Sequence, residues 1–291
     1  MNNYNNPFEN EITESKEVKD ATVQTEAAET FNNEVETDTD KDIKPWFERF
    51  KGILIIISFF VVQFAASIIM VLLIVRHGGQ INSDGSNITS IALKDMFTGM
   101  VIAESVFIGI LIAIYNKRIF RNIKSTFDSS IEFIIKLLGY YFLLWGATIV
   151  FSIIDTTLFP NLIEEAGANQ DIIEQALTLT PSAGMLISIC ITAPIVEEFV
   201  FRYGIISKLL YGVNKYVAAV IAALIFSFAH VGFDQMTSAP LFIHLMIGYM
   251  GQALVFSYIY AREQSLVYPI LIHIINNVQA VVLIIVLANL A

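Results

Sequence analysis

The sequence predicts an all-α polytopic membrane protein of about seven transmembrane helices, eight at most, behind a disordered acidic amino-terminal tail. Three observations carry that prediction. Of the 291 residues, 55% are hydrophobic and only 15% are charged, and the mean hydropathy is +0.64, a balance that suits lipid rather than water. Apolar runs of roughly 20 residues recur, the length at which a helix crosses a ~30 Å hydrocarbon layer. The net charge of −10 is local, because residues 1–43 hold twelve acidic side chains against three lysines. Such acidity says nothing about nucleic acid, and no nucleic-acid partner is expected. Cys190 is the only cysteine, which excludes an intrachain disulfide and a cysteine-based metal framework.

Taken in order, residues 1–43 are rich in Asn, Glu, Thr and Asp and cannot bury enough apolar surface to offset the entropy of ordering. They are expected to form a solvated cytoplasmic tail. Lys44-Pro45-Trp46-Phe47-Glu48-Arg49-Phe50-Lys51 mixes bases and aromatics, as where a chain meets lipid headgroups. Three apolar segments, 52–75, 97–116 and 131–153, follow, and with an extracytoplasmic loop at 154–182 they make up a division 44–182. Four more, 183–207, 215–232, 239–260 and 267–289, make up a second division, 183–291. Basic residues cluster at Lys44, Arg49 and Lys51, at Lys117, Arg118, Arg121 and Lys124, at Lys208 and Lys215, and at Arg262. These clusters alternate with poorly basic loops, so the positive-inside rule places the amino terminus in the cytoplasm. A bacterial plasma membrane is the expected location.

Within the fourth segment, Glu197, Glu198 and Arg202 interrupt an apolar run. A charge at mid-bilayer costs roughly 2.5–3.5 kcal/mol on insertion scales, so a plain anchor would not carry three. Glu198 and Arg202, at i and i+4, share a helix face and can pair, whereas Glu197 is turned about a quarter turn away. The two acids should therefore do different jobs. Tyr211-Gly212-Val213-Asn214 breaks the chain into a hairpin whose midpoint is equally far in sequence from Glu197 and from His230. At ~1.5 Å per residue both lie about 25 Å from the bend, at one depth. In the last segment His273 and Asn277 are again i and i+4, and Pro269 suits an early helical position. Polar groups from three helices are thus expected to converge. His244, Gln252 and Gln279 read as packing contacts or pore-lining groups, Gly248 and Gly251 as points of close helix approach, and Glu104 as an intramembrane acid with no assigned partner.

On these residues the chain resembles the CAAX-protease and bacteriocin-processing (CPBP, Abi) family of intramembrane proteases, which is related to the Rce1-type prenyl-protein endopeptidase. The family's Glu-Glu-xxx-Arg stands here as Glu197, Glu198 and Arg202, its Phe-xxx-His as Phe226 and His230, and its His-xxx-Asn as His273 and Asn277. The resemblance covers about residues 183–290. It implies peptide-bond hydrolysis in a water-filled cavity within the bilayer, with Glu197 as general base assisted by His230. His273 and Asn277 would stabilise the oxyanion, help worth roughly 2.7–4 kcal/mol per donor, while Glu198 and Arg202 would fix the geometry. No cofactor is favoured; the alternative is zinc held by Glu197, His230 and His273. The implied substrate is a peptide or membrane protein in the bilayer, either prenylated or a leader or signalling peptide. Two other classes compete. A transporter also needs intramembrane charge, but the ordered motifs and the matched depth of Glu197 and His230 speak against it. A non-catalytic scaffold or bacteriocin-immunity protein of the same fold, bound to a sensor kinase or another regulatory membrane partner, is the second.

Overall fold

A computed structural model describes residues 44–76, 90–126, 130–162, 173–174, 176–178, 181–231, 236 and 238–290. The acidic tail expected to be disordered, 1–43, lies outside them, as do residues 163–172 of the long loop. The chain divides into a unit ending at Phe47 and a second unit from Glu48 to Ala291. In the first, Trp46 meets the Phe47 ring edge-on at 5.8 Å. The second holds the helical body.

The helices are α1 (Pro45–Arg76), α2 (Ser90–Thr126), α3 (Ser130–Leu158), α4 (Ala183–Leu209), α5 (Lys215–Val231), α6 (Ala239–Glu263) and α7 (Val267–Leu290). Six of them contain stretches long and apolar enough to cross a membrane, and α5, at 17 residues, is apolar but shorter. All seven predicted segments are therefore helical. Their outer faces expose large apolar side chains such as Phe64, Phe142 and Leu287, as lipid-facing surfaces do.

α4 is the central rod. Of its apolar stretch 56% is buried inside the protein, against 11% for α1 and α3. Ser182 starts it by accepting a hydrogen bond from Met185 N, an N-cap. The rod is not uniformly α-helical: Ser188–Thr192 and Glu198–Leu209 are wound as π-helix, with bonds such as Leu210 N to Ile205 O at 2.9 Å. The 100° periodicity assumed from sequence therefore fails over these stretches. The first π turn has a visible cause. Ala193 N–H bonds Ser188 O, so the next carbonyl, Ile189 O, would be served by residue 194, which is proline and has no N–H. Asn277 Nδ2 donates to that carbonyl instead, at 2.8 Å.

The second π stretch is backed by α1 at very short range. A Cβ at Gly52 would lie 2.5 Å from Leu209 N and 2.8 Å from Gly204 O, so only glycine lets the two backbones meet there. Around this contact Ile55, Phe107, Phe199, Phe201, Ile205 and Ala222 form part of the main buried cluster. Gly212, at φ +86°, makes the bend into α5. Of the two α6 glycines expected at close approaches, Gly251 packs against Phe151 and Ala147 O, while Gly248 has open space where its Cβ would be.

Candidate active site

α4, α5 and α7 bring their polar side chains to one level, with α6 behind them. Glu198 and Arg202 are fully buried, and Arg202 Nε lies 3.1 Å from Glu198 Oε2. That contact is an ion pair without hydrogen-bond alignment, and Arg202 Nη1 has no hydrogen-bond partner among the described residues. What holds the guanidinium is aromatic. It lies 4.6 Å from the Phe226 ring centroid and 5.5 Å from that of Phe256, with a 3.5 Å reach from Nη2 to Ala253 O. Two ring faces and one carboxylate replace the hydration that a dry guanidinium loses.

The same two rings carry the imidazoles. His230 stacks on Phe226 at 4.1 Å and 28°, and His273 on Phe256 at 4.5 Å and 20°. Each histidine also has its Nδ1 fixed: His230 Nδ1 lies 2.8 Å from Phe226 O, and His273 Nδ1 lies 2.9 Å from Glu198 Oε1. A carbonyl can only accept, so His230 carries its hydrogen on Nδ1. A carboxylate paired with arginine likewise takes the His273 Nδ1–H. Both Nε2 atoms then face Glu197, at 3.8 Å from Oε1 for His230 and 3.7 Å from Oε2 for His273. These spacings are too long for direct hydrogen bonds and within reach of one bridging water. The Glu197 side chain is 21% exposed and that of His230 16%, against none for Glu198. One carboxylate is wet and its neighbour dry.

The matched depth of Glu197 and His230 predicted from the hairpin is thus met by contact. Asn277, at i+4 from His273, points toward the π turn and gives one N–H to Ile189 O. The other intramembrane polar groups pair elsewhere: His244 with Asp155 at 2.9 Å, Gln252 with Asn276 at 2.9 Å, and Gln279 with Tyr141 at 2.6 Å and Trp145 at 3.3 Å. Glu104 accepts hydrogen bonds from Ser188 (3.1 Å) and Thr192. Phe256 escaped the sequence reading, since nothing distinguishes one phenylalanine in an apolar helix from the next.

Glu197, His230 and His273 present three lone-pair donors to a common space. Among the described residues, however, no group of three His, Cys, Asp or Glu side chains is arranged to hold a metal ion, so the zinc arrangement does not fit these side chains as they stand.

Residues 179–279, from the α4 entry to most of α7, match the family model described as type II CAAX prenyl endopeptidase Rce1-like. Over this segment the chain is similar to the Rce1-like family. No curated protein and no solved structure matches the chain. The matched segment contains all three motifs and every residue of the cluster just described, and the family it resembles is one of CAAX prenyl endopeptidases. α1, α2 and α3 lie outside it.

Proposed function

We propose that the protein is an intramembrane endopeptidase in which Glu197 and His230 activate water without a metal. The observation that carries this reading is the Glu197 carboxylate facing two imidazole Nε2 atoms whose partner nitrogens are tied back to Phe226 O and Glu198. The Glu197 carboxylate and the His230 Nε2 lone pair are acceptors around one space, which calls for a shared proton donor, and a water fills that role. On attack the water oxygen bonds the scissile carbonyl carbon, and its proton passes to Glu197, with His230 orienting it. The carbonyl π electrons move to oxygen. The His273 ring, held by Glu198 and protonated at both nitrogens, and the second N–H of Asn277 stabilise that oxyanion. Collapse breaks the C–N bond, and the proton on Glu197 goes to the leaving nitrogen.

Charge bookkeeping supports the same division. Ionised Glu197 and Glu198 with Arg202 leave one uncompensated negative charge in an apolar setting, and one mobile proton among Glu197 and the imidazoles neutralises it. An apolar cavity of about 340 Å³ is lined by residues that include Phe59, Phe60, Phe201, Ile205 and Phe228. Its Phe201 ring meets edge-on, at 5.0 Å, the Phe226 ring on which His230 stacks. A linear apolar chain on the substrate, as on a prenylated peptide, fits such a wall.

The test is cleavage of a farnesylated and an unmodified peptide by the purified protein in lipid nanodiscs. The expected result is cleavage that prefers the farnesylated peptide, is lost in Glu197→Gln and is insensitive to a zinc chelator. Loss of activity with chelator and its return with zinc would overturn the metal-independent step. Flux of solute without cleavage would overturn the hydrolase.

A further inference from the structure

Glu104 is a buried intramembrane acid that the reaction above does not use. It comes from α2, outside the Rce1-like segment, and is 3% exposed. Its partners are Ser188, 1% exposed, and Thr192, 8% exposed, at the two ends of the π turn of α4. Both hydroxyls donate to the same oxygen, Oε2. One turn earlier the two helices touch closely, because a Cβ on Gly184 would lie 3.1 Å from Thr98 Oγ1. α2 therefore presses on α4 at Thr98 and grips it at Glu104.

That grip lands where α4 is least able to hold itself. Pro194 removes a donor from the ladder, the ladder widens to i→i+5 spacing, and Ile189 O is left to Asn277 from another helix. The turn is thus held by Glu104 through two hydroxyls and by Asn277 through one carbonyl. The next turn, Ala193–Glu197, ends at Glu197 itself. A change in the winding of residues 188–192 rotates that carboxylate about the α4 axis, away from the two Nε2 atoms it faces. A carboxyl group in lipid is too costly to keep for packing that an apolar side chain would supply.

We propose that Glu104 is a positioning residue for Glu197: by holding Ser188 and Thr192 it sets the π turn that aims the general base. The kinetic part of this proposal rests on the hydrolase reading. The structural part does not, because Cys190, the only thiol in the chain and 8% exposed, lies within the same turn and reports its integrity without any cleavage assay.

The experiment compares Glu104→Leu, Glu104→Gln and Thr192→Val in the full-length protein in nanodiscs, following peptide cleavage and the rate of Cys190 alkylation by a maleimide. A misaimed base costs on the order of a hundredfold. Glu104→Leu should therefore lower kcat by about that factor at unchanged KM, and Thr192→Val by about tenfold. Glu104→Gln should stay close to the wild type, because the amide oxygen accepts the same two hydroxyls. Alkylation should quicken in Glu104→Leu and Thr192→Val and not in Glu104→Gln. Wild-type kcat and wild-type Cys190 protection in Glu104→Leu would overturn the proposal. So would a Glu104→Gln as inactive as Glu104→Leu, since the carboxylate itself would then be reacting, and so would a rise in KM alone. If Glu104→Leu does not fold, the near-isosteric Thr192→Val decides by the same two readouts. A wild type that cleaves nothing while alkylation follows the expected order would sink the hydrolase reading and leave the Glu104 grip standing.

Discussion

Glu197 and Glu198 are adjacent and chemically identical, yet the fold treats them differently. Glu198 is sealed from solvent between Arg202 Nε at 3.1 Å and His273 Nδ1 at 2.9 Å. Glu197, one residue earlier, keeps a fifth of its side chain exposed and comes no nearer than 3.7 Å to either imidazole. The first is spent on holding other groups in place, and the second keeps its lone pairs for something that arrives. Chemistry in a membrane needs both, because a buried acid left free would neutralise itself and one fully paired could not accept a proton.

The sharpest way to break this comparison is to neutralise each acid in turn. Glu197→Gln should lower peptide cleavage by about 10²–10⁴-fold, the usual worth of a general base, and leave the thermal unfolding midpoint near that of the wild type. Glu198→Gln should do the reverse in stability, because it leaves Arg202 buried without its partner charge, a loss of roughly 3–5 kcal/mol. Unfolding in detergent measures this. The double variant Glu198→Gln, Arg202→Met should recover part of that loss, since a neutral pair leaves no uncompensated charge. Equal destabilisation by the two glutamine variants would erase the distinction between the wet and the dry acid.

The contrast between these acids was half legible in the sequence. The i, i+4 spacing of Glu198 and Arg202 announced their pairing, and the hairpin arithmetic placed His230 at the depth of Glu197, because both depend only on spacing along helices. The seven helices were legible for the same reason, since apolar runs of membrane length leave little choice of structure. What lay hidden depends on contacts between distant segments. Ser188 and Thr192 meet Glu104 across 84 and 88 residues of chain, and small hydroxyls in a helix carry no mark of such a partner. The π winding was hinted at by Pro194 alone. Gly248 and Gly251 look alike in sequence, and only packing against Phe151 separates them.

A smaller effect sharpens the role of the rings that both acids depend on. Phe256 is fully buried, stacks on His273 and lies 5.5 Å from the Arg202 guanidinium. Phe256→Leu keeps the apolar bulk and removes the π face, a loss of about 0.5–2 kcal/mol. At about 1.4 kcal/mol per factor of ten, kcat should fall by no more than roughly tenfold to thirtyfold, with a modest drop in unfolding midpoint. An unaffected kcat would mean that Glu198 alone orients His273.

The smallest expected effect tests where the site ends. Gln279 lies on α7 two residues beyond Asn277, and its Oε1 accepts from Tyr141 and Trp145 of α3 at 2.6 and 3.3 Å. It is as polar and as intramembrane as Asn277, so hydropathy cannot rank the two. Geometry can: Asn277 turns toward the Pro194 break in α4, and Gln279 toward a helix that contributes nothing to the Glu197 cluster. Interhelical hydrogen bonds in membranes average about 0.6 kcal/mol, because the unpaired groups find other partners in lipid. Gln279→Leu should therefore cost about that much stability and leave kcat and KM unchanged, whereas Asn277→Leu should remove most cleavage. If Gln279→Leu also slows cleavage, α3 positions α7 for the reaction, and the boundary between groups that join helices and groups that meet substrate lies further out than these contacts draw it.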